Sequence, residues 1–187
     1  MIFVISGAPG VGKSTVLKHL REKRKDLRFA ISSTTRAPRP EETSEDYEFV
    51  TEDQFKDAIR KNLFVEYVFE GEVYYGTPKS ELQERFPGEI IIADVDCKGG
   101  ISIQKAFPGT ITIFINAKSE IIEQRLRNRE SGRMEESVIN ARLRRIDTEK
   151  ELATKYYNII VENDRVEGCA ALIHRIIDAH TLGIPIN

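Results

Sequence analysis

The residues best suited to chemistry lie near the start of the chain, in Gly7-Ala8-Pro9-Gly10-Val11-Gly12-Lys13-Ser14, with Thr15 following. They have the spacing G-x-x-x-x-G-K-S, in which glycines let backbone N–H groups wrap phosphate oxygens. Lys13 would reach the β- and γ-phosphates, and the Ser14 hydroxyl would join a Mg²⁺ shell made mostly of water and phosphate. The spacing predicts a nucleoside-triphosphate site; the alternative is a glycine-rich turn that binds nothing.

A second group of residues is suited to another phosphate. Arg36 and Arg39 lie three apart around Pro38, which stiffens the segment. Each guanidinium can donate two parallel N–H bonds to a phosphate. Tyr47 and Tyr75 would add hydroxyl donors. The alternative for each of these residues alone is a salt bridge or simple packing.

Glu66 is a carboxylate in apolar surroundings, beside Val65 and Tyr67. A carboxylate accepts two parallel hydrogen bonds, which matches the N1–H and 2-amino donors of guanine but not adenine, whose N1 is an acceptor. Ser32 and Thr77 would add hydroxyls to the same base edge. A salt bridge is again the alternative, but the occurrence of these residues in one segment favours a bound guanine nucleotide.

Two further groups carry charge. Arg125 and Arg129 are spaced i, i+4 on one helical face, and Arg142 and Arg145 follow at i, i+3. Such arginines can close over phosphates and balance charge as it moves between oxygens, although most charged helices are simply solvated.

Asp94 and Asp96 follow a buried strand, at the edge where α/β sheets place ligands. Asp94 would hold Mg²⁺ directly or through water, and Asp96 would do the same or face the acceptor. Helix capping is the alternative for either aspartate.

Elements of an α/β fold must position these residues. Apolar runs at 2–5, 27–31, 89–94, 110–115 and 157–161 recur at intervals, each followed by a helical pattern. Such runs favour a parallel sheet covered by helices on both faces, which is a three-layer fold. Residues 32–77 predict a small mixed α+β insertion, with a helix entered by the capping box Thr51-Glu52-Asp53-Gln54. We therefore expect a core of residues 1–31, 78–123 and 152–187, an acceptor-binding insertion at 32–77, and a helical lid at 124–151.

Composition excludes several classes of protein. The chain has 187 residues, 40% hydrophobic and 31% charged, with a formal net charge of −2, so bulk charge does not indicate nucleic acid or a membrane as a partner. Cys97 and Cys169 lack a paired spacing, which favours reduced core residues in a cytoplasmic protein. The opening apolar run stops at Gly7, too soon for a signal peptide or a membrane span.

The residues resemble the guanylate kinase family over nearly the whole chain. The resemblance rests on the phosphate loop, Ser32-Ser33-Thr34-Thr35-Arg36, Tyr74-Tyr75-Gly76-Thr77, Asp94-Val95-Asp96, Arg142-Leu143 and Val161-Glu162-Asn163-Asp164. The family implies a P-loop core, an insertion that binds the nucleoside monophosphate, and a lid. It also implies transfer of the γ-phosphoryl group of MgATP to GMP or dGMP.

Carried over by position, the resemblance assigns roles to residues in this chain. Ser32, Glu66 and Thr77, with Asp96, would read guanine, and Arg36, Arg39, Tyr47 and Tyr75 would hold the GMP phosphate. Lys13, Arg125, Arg129 and Arg142 would stabilise the transferring group, and Asn163 would contact the adenine side of ATP. Lys98 departs from the glutamine usual in the family, and residues 130–134 are one residue longer than the usual lid loop.

Two alternatives remain at this point. A kinase of another phosphorylated acceptor, such as a ribose bisphosphate, should lack Glu66 with Ser32. A guanylate-kinase-like module that binds partner peptides without turnover typically has a degraded phosphate loop. No residue in the sequence stands out as a general base, which fits an acceptor phosphate already largely ionised at neutral pH, with a second pKa of about 6.

Overall fold

The fold is built on a five-stranded sheet whose strands all run parallel. The computed structural model describes residues 1–40, 42–129 and 136–184. The strands are β1 (Ile2–Gly7), β2 (Leu27–Phe29), β7 (Ile90–Asp94), β8 (Ile111–Asn116) and β9 (Ile159–Glu162), in the order β2-β7-β1-β8-β9. Every residue of the central strand β1 is buried, as its uninterrupted apolar run predicts.

Helices cover both faces of this sheet. They are α1 (Lys13–Lys23), α3 (Cys97–Ala106), α4 (Ser119–Arg129), α5 (Glu136–Tyr156) and α6 (Val166–Leu182). Helix α2 (Glu52–Arg60) belongs to the insertion instead. Alternate residues of β1 point to opposite faces. Phe3 and Ile5 join a core cluster with α1 and α6, whereas Val4 joins a second cluster with Ile103 of α3. The predicted three-layer α/β fold is confirmed.

Residues 32–78 form a separate four-stranded mixed sheet. It comprises β3 (Ser32–Thr34), β4 (Tyr47–Phe49), β5 (Phe64–Glu70) and β6 (Val73–Pro78), in the order β4-β3-β6-β5. The predicted capping box of α2 is present, and Phe55 on that helix stacks on Phe64 and Tyr74 at ring-centroid distances of 4.4 and 5.1 Å. The mixed α+β insertion is therefore observed, with β3 as a strand that apolar patterning did not predict.

The helices at the predicted lid extend beyond its predicted limits. The first of them, α4, begins at Ser119, and Ile122 is fully buried in the core. On α5, Ile146 is 4% exposed and also belongs to the core cluster, so the second half of that helix packs against the core. The boundaries at 124 and 151 remain predictions. None of the helices in the described ranges is long and apolar enough to cross a membrane.

Candidate active site

The phosphate loop joins the end of β1 to the start of α1, as its sequence predicts. Gly10 and Gly12 have φ of 90° and 92°, a left-handed conformation that favours glycine. A side chain at Gly7 would meet the Ile115 carbonyl oxygen at 2.7 Å, so β8 lies directly against the loop. With this backbone conformation, the N–H groups of the loop and the N-terminus of α1 lie at one concave surface, which is the usual arrangement for binding phosphate.

Two donors from distant segments hold the Val11 carbonyl of this loop. Asn163 Nδ2 donates to that oxygen at 2.6 Å, and Arg125 Nη1 donates to it at 2.9 Å. Asn163 has no exposed surface, and its Oδ1 has no hydrogen-bond partner in the described structure. The family resemblance implies that Asn163 contacts the adenine side of ATP, and that contact remains a prediction; in the structure its carboxamide braces the loop through the Val11 carbonyl.

The loop lines a cleft of about 530 Å³, which is the candidate donor cleft. Its other walls are Asp96 after β7, Arg125 on α4, and Arg145 and Glu149 on α5. Arg125 therefore lies beside the phosphate loop, and its role toward the transferring group remains a prediction. Arg129 and Arg142 belong to the helices α4 and α5, but their side chains, like residues 130–135, lie outside the described part of the chain.

A second cleft of about 800 Å³ meets the first at Ser14. Ser32, Arg36, Arg39, Tyr47, Tyr75 and Asp94 line it, so the structure brings together most of the predicted acceptor residues. Lys13 forms an ion pair with Asp94, at the carboxyl end of β7. The cation of the donor site therefore lies at the boundary between the two clefts.

The phosphate end of the acceptor cleft contains a carboxylate that the sequence analysis missed. Arg36 donates from both terminal nitrogens to Glu42, at 2.9 Å each, and the Arg39 backbone N–H donates to Glu42 Oε2 at 2.8 Å. The salt bridge considered as an alternative for Arg36 is thus present, and it also orients the guanidinium. Burial raises the pKa of Tyr47 to about 12, so its hydroxyl stays protonated and can donate.

Ser32 lines the acceptor cleft and begins a short chain of hydroxyls that ends in one carboxylate, here called the base end of that cleft. Thr77 Oγ1 donates to Glu66 Oε1 at 2.5 Å, and Ser32 Oγ lies 3.3 Å from Thr77 Oγ1. Burial raises the pKa of the Glu66 carboxyl, the Thr77 hydrogen bond partly opposes this, and the charge on Asp96 adds to it. The three residues predicted to read guanine therefore form one contiguous group.

Gly99 brings α3 against this group. A Cβ built on Gly99 would lie 3.0 Å from Glu66 Oε2, closer than side chains normally tolerate. The Gly99 N–H donates to Asp96 Oδ1 at 2.7 Å, so Asp96 caps α3, which confirms the capping alternative for that residue. Its second oxygen lies 3.8 Å from Arg145 Nη2. A Cys-Lys-Gly-Gly helix start after Asp-x-Asp was the available signal for this close approach.

The three-layer fold, the phosphate loop and the two clefts that meet at Ser14 define a P-loop nucleotide kinase. Residues 1–180 match the family model described as guanylate kinase. The chain is 39% identical over 175 residues to a guanylate kinase of Fusobacterium nucleatum, covering 92% of this chain and 93% of that one. It is 36% identical over 166 residues to a guanylate kinase of Prochlorococcus marinus, covering 87% and 89%. This chain belongs to the guanylate kinase family.

A solved structure supports the same fold. The crystal structure of guanylate kinase from Anaplasma phagocytophilum superimposes with a TM-score of 0.77 over 97% of this chain and 86% of that chain. Because the two sequences are 23% identical, this likeness bears on the fold alone.

Proposed function

We propose that the chain transfers the γ-phosphoryl group of MgATP to GMP or dGMP, giving ADP and GDP or dGDP. The observation that carries the proposal is the pair of clefts meeting at Ser14, one lined by a phosphate loop and the other by Arg36 and Ser32. Ser32 in turn connects to Glu66 through Thr77. The guanylate kinase relatives and the family model support the same reaction.

In the donor half, the loop N–H groups and Lys13 bind the β- and γ-phosphates. Arg125, Arg129 and Arg142 are proposed to balance charge on the transferring group. Arg125 already lies at the loop, where it holds the Val11 carbonyl. When phosphate enters, Lys13 exchanges the Asp94 carboxylate for phosphate oxygens, and Asp94 becomes available to a metal or its waters.

The Ser14 hydroxyl and Asp94 are the residues that would hold Mg²⁺ in this site. Among residues 1–40, 42–129 and 136–184, no cluster of three or more His, Cys, Asp or Glu side chains could bind a metal by itself. That fits an ion that keeps several waters and takes further ligands from the substrate phosphates. The ion, when bound, neutralises charge on the phosphate oxygens.

In the acceptor half, the GMP phosphate binds to Arg36, Arg39, Tyr47 and Tyr75. The guanine edge donates to Glu66, with Thr77, Ser32 and Asp96 around it. An acceptor phosphate needs orientation and charge neutralisation more than proton removal, because its second pKa is about 6. The site supplies these two things with arginines, phenols and a buried carboxylate, and the proposed reaction requires no general base.

We also propose that the protein works in the cytoplasm. Cys97 and Cys169 are both buried and unpaired, as the sequence predicted, and unpaired cysteines fit a reducing compartment. Burial raises the pKa of each thiol to about 11, so neither is a reactive thiolate at neutral pH.

The proposal is tested with a coupled assay of MgATP against GMP, dGMP, AMP, UMP and CMP. We expect turnover of GMP and dGMP alone. Glu66→Gln should raise the KM for GMP about 30-fold, because a charge-assisted hydrogen-bond pair to the base is lost, with the KM for ATP little changed. Lys13→Ala should instead lower kcat by on the order of 10²-fold.

Glu72→Gln is the matched control, since it removes the same charge from an exposed position on the same β-hairpin. Equal rates on AMP and GMP would contradict the role of Glu66. Binding of GMP without turnover of any nucleotide would favour the peptide-binding module over a kinase.

A further inference from the structure

Arg145 contacts three carboxylates that come from three different segments. Its Nε donates to Glu149 Oε1 at 2.8 Å on the same helix. Its Nη1 donates to Glu70 Oε1 at the end of β5, and its Nη2 lies 3.8 Å from Asp96 Oδ2 after β7. One guanidinium therefore connects the acceptor insertion, the central sheet and α5.

The helix that carries Arg145 is fixed to the core at this point. Ile146, the next residue, is 4% exposed and packs in the main core cluster, and Ala153 further along α5 is fully buried. Glu149 is 6% exposed and holds the Nε end of the guanidinium. Because both the backbone and the side chain are held from the core side, Arg145 presents Nη1 to the insertion from a fixed position.

The contact with Glu70 lies at the end of the β-hairpin formed by β5 and β6. Gly71 and Glu72 form its two-residue turn with φ of 58° and 69°, the left-handed pair of a type I′ hairpin. Glu66 pairs with Thr77 on the same hairpin, and Glu66 and Glu70 lie on one face because strand residues alternate. The hairpin therefore links its ion-paired tip rigidly to the residues that face the base.

We propose that Arg145 is a positioning residue, which sets the acceptor hairpin against the donor cleft through its ion pair with Glu70. The inference rests on the proposed phosphoryl transfer to GMP. Arg145 also lines the donor cleft, beside the phosphate loop. A hairpin held at Glu70 keeps Glu66 and Tyr75 at a fixed distance from the phosphate loop. At that distance the γ-phosphate of ATP and the phosphate of GMP can meet, and phosphoryl transfer needs this geometry.

Glu70→Gln is the cleanest test because it keeps the shape of the side chain and removes its charge. Glu70 and Arg145 are 51% and 34% exposed, so the ion pair has the modest strength of a solvent-screened pair. We expect Glu70→Gln to raise the KM for GMP about threefold with no change in the KM for ATP. Glu72→Gln, two residues away in the turn, is the control and should match the wild type.

The pairwise nature of the effect is tested with Arg145→Ala and the double variant. Arg145→Ala should raise the KM for GMP more than Glu70→Gln does, because Glu149 and Asp96 also lose their contacts with the guanidinium. Adding Glu70→Gln to Arg145→Ala should produce no further threefold change, since the pair is already broken. A full additional effect in the double variant would overturn the proposal, as would a Glu70→Gln enzyme that is kinetically wild type.

Hydrogen exchange separates this inference from the proposed function, because it requires no turnover. Amides of residues 66–77 in the protein without ligands should exchange faster in Glu70→Gln than in Glu72→Gln. Unchanged exchange would overturn the positioning role even if the enzyme is active on GMP. Faster exchange in a protein that does not phosphorylate GMP would support the ion pair as a tether and contradict the proposed reaction.

Discussion

Asn163 is the residue for which the sequence and the structure imply different experiments. A contact to adenine, as the family resemblance implies, would make Asn163 matter for the base of the donor nucleotide. The buried hydrogen bond from Asn163 Nδ2 to the Val11 carbonyl instead makes it matter for the shape of the phosphate loop. Asn163→Ala distinguishes these roles, because every nucleoside triphosphate binds the phosphate loop whereas only adenine nucleotides carry adenine.

The magnitude follows from the contacts. The substitution removes one buried neutral hydrogen bond, worth about 1 kcal/mol. Val11 keeps its second donor, Arg125 Nη1 at 2.9 Å, so its carbonyl is not left without a partner. Asn163 Oδ1 has no partner in the described structure, so its removal loses no hydrogen bond. If the brace shapes the loop, about 1 kcal/mol corresponds to a roughly fivefold rise in the KM for ATP.

The assay compares ATP, GTP and ITP as donors with GMP held saturating. We expect the same factor of about five for all three donors, an unchanged KM for GMP, and a melting temperature lower by about 3 °C. Asn163→Asp keeps the volume but directs a carboxylate oxygen at the Val11 carbonyl. It should therefore raise the KM for every donor more than the alanine variant does.

A loss confined to ATP would refute the brace and restore the contact to adenine. A lower melting temperature with unchanged KM values for all donors would also refute it, because the hydrogen bond would then stabilise the fold without shaping the loop.

Three further predictions concern the base end of the acceptor cleft. Gly99→Ala should raise the KM for GMP about fivefold and leave the KM for ATP unchanged, because the new Cβ would displace the Glu66 carboxylate by a few tenths of an ångström. The control is Gly168→Ala, since a Cβ at Gly168 has no atom within 4 Å. Lowering the pH should raise the KM for GMP more steeply in the wild type than in Glu66→Gln. Burial raises the pKa of Glu66, so its carboxylate takes up a proton at a higher pH than a solvated carboxylate does. The GMP phosphate titrates equally with both enzymes, so it does not contribute to the difference. Because of the same raised pKa, the folded protein takes up this proton at a higher pH than the unfolded chain does, and the proton therefore stabilises the folded state. As the pH falls through this range, the melting temperature of the wild type should increase relative to that of Glu66→Gln.

The core was predictable because its strands are buried on both faces. Residues 90–93 and 113–115 are apolar at successive positions, which is the pattern of a covered parallel strand. Strand β3 gave no such signal, since Ser33 and Thr34 are buried yet polar. Its place is set by pairing with β4 and β6, and tertiary pairing of this kind leaves little trace in a local window.

The candidate active site was also predictable only in part. Lys13, Arg36 and Glu66 stand in local patterns whose chemistry can be read directly. The partners that orient cations come from elsewhere in the chain. Glu70 is 75 positions from Arg145, and Asp94 is 81 positions from Lys13. No periodicity or spacing relates residues that far apart, so only the fold reveals these pairs.

These pairs explain how a chain with a formal net charge of −2 can hold two phosphorylated substrates. Lys13 lies against Asp94, Arg36 against Glu42, and Arg145 against Glu70 and Glu149. Each cation is thus neutralised and oriented before a nucleotide arrives, which lowers the entropy that binding must overcome. An incoming phosphate must then compete with a carboxylate for Lys13 and Arg36. A nucleotide that engages several such cations at once therefore competes better with the internal partners than a ligand that engages one of them.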